Sequence, residues 1–223
     1  MLQEIHHRVK NNLQIVASLL SLQSQFLAYP AALDALAESQ TRVRSMAMIH
    51  EQLYRSGNLA QLDFADYVST LSRQVLRSYR GKVGAVNLQI SVDNVSLPLD
   101  TAIPCGLLIT EILSNAVKHA FPDFRSGQIC INFCRCDGDN FQLTITDDGA
   151  GFPAELAGCL MKNGLTGPCV QSLGLQLIDS LTHQLDGKIR FDSQPGATVF
   201  EITFPAGEEF YPAETTTPNM MQA

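Results

Sequence analysis

Apolar residues recur at alternating three- and four-residue spacings along the start of the chain, and this spacing predicts two helices. Over residues 2–28 the repeat falls on Leu2, His6, Val9, Leu13, Val16, Leu20, Gln23 and Leu27. Such spacing is typical of a coiled-coil-like seam with two polar interruptions. Tyr29-Pro30 should end this helix, because the residue before a proline disfavours the helical conformation. A second helix is predicted over 31–56, and Ser56-Gly57-Asn58 should end it.

Two long helices joined by so short a turn predict an antiparallel hairpin. One hairpin alone buries little apolar surface, so we expect it to pair with a second copy as a four-helix bundle.

The hydrophobic period changes after residue 80. A third helix is predicted over 62–79, and VNLQISV then alternates as a strand does. A helix is predicted over about 100–120, with a shorter one in LGLQLIDSLTHQL. Further strands are predicted in GQICINFCRC, NFQLTITDD, GKIRFDS and ATVFEITFP, and the Gly- and Pro-containing stretch 152–172 lies between them. This mixture of helices and adjacent strands predicts an α+β fold, with an α/β sandwich following the helical hairpin.

Composition narrows the class of protein. The chain has 223 residues, of which 45% are apolar and 17% charged, as in an ordinary globular protein. The sequence contains no run of about 18 apolar residues, so it predicts no transmembrane helix. The formal charge of −7 argues against non-specific binding to nucleic acid. Of the six cysteines, Cys130, Cys134 and Cys136 share one strand face. We expect reduced, structural cysteines, which fit a cytoplasmic protein, with a metal or redox role as the alternative.

The two ends of the sequence carry their own expectations. Leu2 already belongs to the first helical repeat, so we expect that helix to continue upstream in a longer protein. The last residues, GEEFYPAETTTPNMMQA, contain turn formers and no periodicity, which predicts a flexible tail.

Chemistry-bearing residues gather in the second half of the sequence. On a helix, Glu111, Asn115, Lys118 and His119 share one face. A carboxylate, an amide and an amine on one stripe suit a divalent metal and phosphate oxygens, although a solvated polar face is an equally good interpretation.

Three glycine-containing stretches follow. Asp147-Asp148-Gly149-Ala150-Gly151 comes directly after a strand, where a simple turn is the default interpretation. The stretch 158–174 ends in Ser172-Leu173-Gly174-Leu175, and glycine-rich backbone that leads into a helix can bind phosphate through its N–H groups. Gly196-Ala197-Thr198 is equally consistent with a hairpin turn.

The adjacent histidines of EIHHRVKNNLQ lie on different helical stripes. His6 falls on the apolar seam. His7 shares its stripe with positions 11, 14, 18, 21 and 25, all of them polar, so His7 should face water. A neutral imidazole is a competent nucleophile near neutral pH.

The order of these segments resembles the ATP-binding domain of the superfamily that contains gyrase, Hsp90, histidine kinases and MutL, over roughly residues 86–205. The first helix, with its HHRVKNNLQ, is similar to the phosphoacceptor helix of one subfamily of sensor histidine kinases. IHEQLYRS at 49–56 and SLGLQLI at 172–178 are similar to the same subfamily. The element that often has the sequence GxGLGL is here only SLGL.

This resemblance implies a role for each matched residue. Glu111 would lie by the γ-phosphate, Asn115 would coordinate Mg²⁺, and Lys118 and His119 would lie near the phosphates of ATP. Asp147 would accept a hydrogen bond from the adenine amino group. The remaining nucleotide contacts would come from Gly149, Gly151, Gly174, Leu175 and Thr198.

For the first helix, the resemblance implies that His7 is the phosphoryl acceptor. Glu4 could orient the His7 ring, or could be an ordinary solvated ion-pairing residue. Asn11 could position a water molecule that dephosphorylates a partner aspartate, and Arg8 and Lys10 could attract phosphate or an acidic partner.

The implied organisation is a dimerisation and histidine phosphotransfer hairpin (1–60), an ATP-binding domain (61–206) and a tail (207–223). The implied partners are a second copy of the chain, the receiver domain of a response regulator and a sensor domain missing from this sequence. Two alternatives stay open: a serine/threonine kinase of the anti-sigma type, and a non-catalytic dimeric module that binds partners. A DNA-handling ATPase fits poorly because of the acidic charge.

Overall fold

Six helices and seven strands make up the described part of the chain. The computed structural model describes residues 2–56, 62–79, 84–136, 139–165 and 172–207, apart from the side chains at positions 2, 3, 6, 31, 53–56 and 163. The helices are α1 (Leu2–Ser24), α2 (Pro30–Ser56), α3 (Phe64–Ser78), α4 (Leu99–Asn115), α5 (Ala154–Asn163) and α6 (Leu173–Gln184). The strands are β1 (Leu62–Asp63), β2 (Val86–Val92), β3 (Ser96–Leu97), β4 (Gly127–Cys136), β5 (Asn140–Asp147), β6 (Lys188–Gln194) and β7 (Ala197–Pro205). A helical hairpin followed by an α/β sandwich confirms the predicted fold class.

Helices α1 and α2 form the predicted hairpin, with different ends. Helix α1 stops at Ser24, four residues before the predicted end, and the next amides bond to carbonyls three residues back, as in a turn. Helix α2 starts at Pro30. The first residues of a helix have no intrahelical acceptor for their N–H groups, so a proline at this position costs no hydrogen bond. The two helices are tied by Lys10 Nζ to Glu51 Oε1 at 3.2 Å and by Gln40 Nε2 to the carbonyl of Ala17 at 3.0 Å.

The predicted seam of α1 is right only in part. Val9, Leu13 and Leu20 are half-buried, but Val16 is 43% exposed. Because α2 covers a single stripe of α1, a second apolar stripe stays exposed, and it includes Ile5, Ile15, Val16, Leu19 and Leu22, with exposed Phe26 in the turn just beyond the helix. The side chain of His6, placed on the seam by the sequence, lies outside the described residues. In the part of the chain that the structure describes, no helix combines the length and apolarity needed to cross a membrane.

The sheet has the strand order β2-β4-β5-β7-β6. Strand β2 runs parallel to β4, and the other neighbours are antiparallel. Along β4 and β5, buried and less buried residues alternate because only one sheet face meets the core. A separate antiparallel pair, β1 with β3, places Leu62 opposite Leu97.

The core of the sandwich lies between the sheet and helices α3, α4 and α6. Phe133 stands at its centre, with ring centroids 4.6 Å from Phe64 on α3 and 5.0 Å from Phe141 on β5. Helix α3 begins two residues later than predicted because 62–63 pair as a strand, and Asp63 then caps it by accepting the Asp66 N–H at 3.0 Å.

One helix was missed in the sequence. The Gly and Pro content of the stretch 152–172 predicts no helix there, but Ala154–Asn163 forms α5, bounded by Pro153 and by Gly164 at φ 71°. Proline before a helix and a positive-φ glycine after it are normal helix boundaries, so the residues that suggested a loop mark the ends of a helix. Positions 166–171 lie outside the described residues.

The cysteine expectation also needs correction. Cys105, Cys130, Cys134 and Cys136 are free thiols, as expected, but Cys159 is disulfide-bonded. Cys169 lies outside the described residues. Among the residues that are described, no three His, Cys, Asp or Glu side chains converge on a potential metal position.

One contact between helices α3 and α4 is especially close and yields a prediction. A Cβ added at Gly106 would overlap the hydroxyl and ring of Tyr67, whose buried Oη has no hydrogen-bond partner among the described residues. Gly106→Ala should therefore lower the free energy of unfolding by about 1–3 kcal/mol through overpacking. Tyr67→Phe should be neutral or stabilising because it removes an unsatisfied hydroxyl, and it should partly rescue Gly106→Ala. Urea unfolding of the single and double variants measures both effects. An undiminished stability of Gly106→Ala would contradict the packing.

Candidate functional site

A cavity of about 550 Å³ opens between helix α4, the loop after β5 and the start of α6. Its walls combine polar side chains with a larger apolar area. The lining residues are Ile112, Asn115, Ala116, His119, Ala120, Asp147, Ala150, Gly151, Phe152, Pro153, Leu156, Ser172, Leu175, Thr198 and Phe200. A cavity of this size, mostly apolar with a few convergent polar groups, is typical of a small-molecule site.

One end of the cavity is built around Asp147. The Gly149 N–H donates to Asp147 Oδ1 at 2.9 Å, and Thr198 of β7 is the residue paired with Asp147 across the sheet. Burial is the main reason that the pKa of Asp147 is raised; the Gly149 N–H opposes the shift, the Asp148 charge adds to it, and Thr198 opposes it. Asp147 thus offers a desolvated acceptor to a ligand.

A chain of hydrogen bonds holds this end in place. The Phe152 N–H donates to Ser193 Oγ at 2.9 Å, and Ser193 Oγ lies 3.3 Å from Thr198 Oγ1. Since Thr198 is paired with Asp147 in the sheet, the hairpin β6-β7 holds the end of β5 that carries this carboxylate.

Two glycines make the loop after β5 possible. A Cβ at Gly149 would lie 2.6 Å from the backbone oxygen of Ala120, so loop and helix could not approach as they do. Gly151 has φ 77°, a conformation that L side chains rarely adopt. The Gly196 N–H then donates to the Gly149 carbonyl at 2.8 Å, which fixes the loop against the hairpin turn.

The opposite end of the cavity is formed by α4 and the turn that follows it. After Asn115 the helix widens over Ala116–Ala120 into a turn with π-type bonding. Asn115 and His119 line the cavity, but Lys118 does not; its ammonium pairs with Glu38 on α2. The α-helical face that the sequence predicted is therefore divided, because a wider turn changes the angle between successive side chains. Desolvation and the Lys118 charge lower the pKa of His119, and Glu38 opposes this.

Asn115 fits an oxygen-coordinated cation or a phosphate. In the described part of the chain, no hydrogen bond engages its side-chain amide. A Cβ built on Gly174 would lie 3.6 Å from Asn115 Oδ1 and 3.2 Å from Glu111 Oε2, so the backbone of α6 comes close to both side chains. Glu111 itself is only 4% exposed, does not line the cavity, and is bound by Arg42 of α2.

The candidate acceptor helix lies apart from this cavity. His7 is exposed, and Asn11 Nδ2 lies 3.3 Å from its Nδ1. Glu4 forms an exposed ion pair with Arg8, with Arg8 Nη2 at 2.6 Å from Glu4 Oε1. His7 is not among the residues that line the cavity.

The sequence did not identify the apolar wall of the cavity. Phe152, Leu156 and Phe200 line it, and Phe152 packs edge-on against Phe191 at 5.1 Å between centroids. Alternate residues of β7 point toward the core, and Phe200 is one of them, so the period-two pattern of this strand could have indicated that Phe200 is buried. Leu156 lies on the helix that was missed.

Two family models match the chain. One, described as histidine kinase, matches residues 4–79. The other, described as histidine kinase-, DNA gyrase B- and HSP90-like ATPase, matches residues 101–208.

Curated relatives and a solved structure agree with these matches. The sensor histidine kinase PdtaS of Mycolicibacterium smegmatis is 34% identical over 215 residues, which cover 92% of this chain and 40% of that protein. The blue-light-activated histidine kinase 2 of Erythrobacter litoralis is 26% identical over 213 residues, 93% of this chain and 58% of that one. The histidine kinase domain of the Erythrobacter litoralis EL346 kinase has a TM-score of 0.66 at 26% identity, covering 92% of this chain and 93% of that domain. The chain thus spans roughly half the length of these curated relatives.

The fold and the cavity define the class of protein: a helical hairpin with an exposed histidine, joined to an α/β sandwich with a nucleotide-type site. The chain belongs to the histidine kinases, in which this helical domain precedes an ATPase domain of the gyrase and Hsp90 kind. The predicted family is confirmed, and none of the comparisons favours the serine/threonine kinase or the non-catalytic module.

A single substitution tests the role that the sequence implies for Asp147. If Asp147 accepts a hydrogen bond from the adenine amino group, Asp147→Asn should weaken nucleotide binding at least tenfold, because an amide N–H would face the adenine amino donor. The Asn oxygen can still accept the Gly149 N–H, and burial disfavours the native carboxylate, so stability should be unchanged or increased. Calorimetric titration with ATP and a thermal melt give the two readouts. Unaltered binding would contradict the assignment of Asp147.

The raised pKa of Asp147 also predicts a pH dependence. If nucleotide binds the ionised carboxylate, affinity should be full above the raised pKa and should fall as the pH drops through it, at a higher pH than for an exposed aspartate. Protonation of the ATP phosphates also weakens binding, so Asp147→Asn serves as the control over the same pH range. The wild type should show a pH-dependent component that the variant lacks.

Proposed function

We propose that this chain is the catalytic core of an ATP-dependent protein-histidine kinase that phosphorylates itself on His7 and then passes the phosphoryl group to an aspartate on the receiver domain of a response regulator. The observation that supports this most directly is the combination, in one chain, of an exposed histidine on a polar helical stripe and a cavity that carries Asp147 and Asn115 at its two ends.

In this proposal the cavity orients ATP by its two ends. Asp147 accepts a hydrogen bond from the adenine amino group, while Phe152 and Phe200 contribute apolar wall. Asn115 and His119 then lie at the phosphate end, and Gly174 allows the α6 backbone close to the phosphates. Mg²⁺ would be held by the Asn115 amide oxygen and would supply charge neutralisation of the phosphates.

The chemical step is an in-line displacement. An unprotonated ring nitrogen of His7 forms a bond to the γ-phosphorus, the bond from phosphorus to the β–γ bridging oxygen breaks, and ADP leaves with that electron pair. The proton on the other ring nitrogen must be lost for phosphohistidine to be neutral on the ring. Because Glu4 is paired with Arg8 in this structure, its assignment as the group that orients His7 requires that ion pair to exchange.

Asn11 is suited to a role in the reactions with the receiver domain. Its amide lies one helical turn from His7 and 3.3 Å from the imidazole, on the surface that a receiver domain must approach. There it would orient water toward a phosphoaspartate during dephosphorylation.

The same proposal includes a homodimer and the domain division. The exposed apolar stripe of α1 suits a second hairpin, which would complete a four-helix bundle. We assign residues 1–60 to dimerisation and phosphotransfer and 61–206 to ATP binding, since Leu62 pairs with Leu97 of the sandwich and α3 packs on α4. An ATP-using core of this kind would act in the cytoplasm.

Autophosphorylation with γ-labelled ATP and Mg²⁺ tests the proposed function. The wild type should acquire a label that is stable in base and labile in acid, His7→Gln should lose it, and His6→Gln should retain it because His7 is the exposed acceptor. Circular dichroism controls for folding of the variants. An acid-stable label, or one that survives His7→Gln, would overturn the proposal.

A further inference from the structure

Helix α2 contacts helix α4 through a bidentate ion pair between Arg42 and Glu111. Arg42 Nε donates to Glu111 Oε1 at 2.6 Å and Arg42 Nη2 donates to Glu111 Oε2 at 2.8 Å. Both carboxylate oxygens of a side chain that is 4% exposed are thereby engaged. Bidentate arginine–carboxylate pairs are among the stronger and more directional polar contacts in proteins.

A second pair extends this contact. The Lys118 ammonium binds Glu38, and Glu38 Oε2 also lies 3.3 Å from Arg42 Nη2. The four charges cancel, so the cluster is neutral as a whole. Beyond it along α2, Ser45 Oγ meets Thr110 Oγ1 at 3.0 Å in a buried contact, and Ile49 joins the core of the sandwich.

The docked arrangement keeps the phosphate end of the cavity away from His7. Gln40 is level with Ala17 of α1, as their hydrogen bond shows, and Arg42 is only two residues further along α2. Ten residues of α1 separate Ala17 from His7, about 15 Å along the helix at 1.5 Å per residue. Because the two helices are antiparallel, Arg42 is about 3 Å nearer to His7 than Gln40 is, which leaves Arg42 about 12 Å from the level of His7. A second hairpin related by a two-fold axis along the bundle would carry its His7 at the same level. Phosphoryl transfer needs the reacting atoms about 3–3.5 Å apart.

We propose that Arg42 and Glu38 form a clamp that holds the ATP-binding domain in a non-transferring position, and that the γ-phosphate of ATP competes with Glu38 for the Lys118 ammonium. The proposal rests on the function proposed above. Release of α2 would free the Glu111 carboxylate and the Lys118 ammonium together, and would allow the domain to move along the hairpin toward His7.

The competition follows from the charges. While the clamp is closed, Lys118 is neutralised by Glu38, whose carboxylate repels an approaching phosphate. Both oxygens of Glu111 are occupied, so Glu111 cannot take up a proton or orient a reactant. Because ligand binding and clamp opening are linked, whatever opens the clamp must strengthen ATP binding, and ATP must favour the open state.

Arg42→Gln gives the sharpest test, because two possible roles of Arg42 predict opposite changes in the affinity for ATP. If Arg42 acts only as a positive charge near the phosphates, its removal should weaken binding. If it closes a clamp, its removal should strengthen binding of a non-hydrolysable ATP analogue roughly fivefold or more, which lies within the usual range of coupling between sites. The affinity for ADP should increase less, since ADP lacks the γ-phosphate. Calorimetric titration in Mg²⁺ measures both affinities.

Two matched variants serve as controls. Arg44→Gln removes the same charge two residues along α2, where no ion pair within the described residues is lost, so binding should be unchanged or weaker. Arg42→Lys keeps the charge but loses the planar fork, and it should fall between wild type and Arg42→Gln.

Two further readouts complete the test. The rate of His7 labelling at low ATP should rise in Arg42→Gln, and small-angle scattering should show that this variant without nucleotide has the dimensions of the wild type with the analogue. Weaker analogue binding in Arg42→Gln, or slower labelling at saturating ATP, would overturn the clamp and make Arg42 a positioning residue for Glu111. If the wild type binds nucleotide but labels no histidine, the proposed function fails instead, while the binding comparison still decides the clamp.

Discussion

Burial of helix α4 determines where the polar groups that this helix contributes to the site can lie. Leu108, Ile109 and Leu113 have no exposed surface, and each contributes about 1.5–3 kcal/mol by burial. The helix therefore cannot rotate about its axis without exposing several of these side chains. With that rotation fixed, Asn115 faces the cavity and Glu111 faces the helical hairpin.

The same burial creates an electrostatic demand. A carboxylate as enclosed as Glu111 is costly to desolvate unless an opposite charge and hydrogen bonds compensate it. Arg42 supplies both from a helix outside the sandwich. The sandwich consequently depends on the hairpin for the environment of one of its own buried carboxylates. The interface between the two units lies beside the end of the cavity that Asn115 lines. The proposed clamp would use this arrangement to couple the position of the hairpin to ATP binding.

Several elements could be predicted closely from local pattern. Strands β2 and β4 match the residues expected, because period-two alternation with one buried face leaves little freedom of register. Other elements could not. Pro30 predicts an end of α1 near residue 28, although the helix ends at Ser24. The proline and glycine that flank α5 suggest a loop, so the short helix between them is not apparent from the sequence. The seam of α1 was assigned as one stripe, whereas the helix carries two, and the apolar pattern alone does not say which stripe the neighbouring helix covers.

By itself, the sequence determined the order of the nucleotide-binding segments, the polar stripe that carries His7 and the sheet-forming pattern, because each depends on residues close together in the chain. Only the tertiary structure separated His119 from Lys118, since the wider turn after Asn115 has no clear signature in residue spacing. Only the tertiary structure paired Arg42 with Glu111 across 69 positions. Contacts of that kind are set by how two helices pack, and helix packing is decided by the whole buried surface rather than by any local repeat.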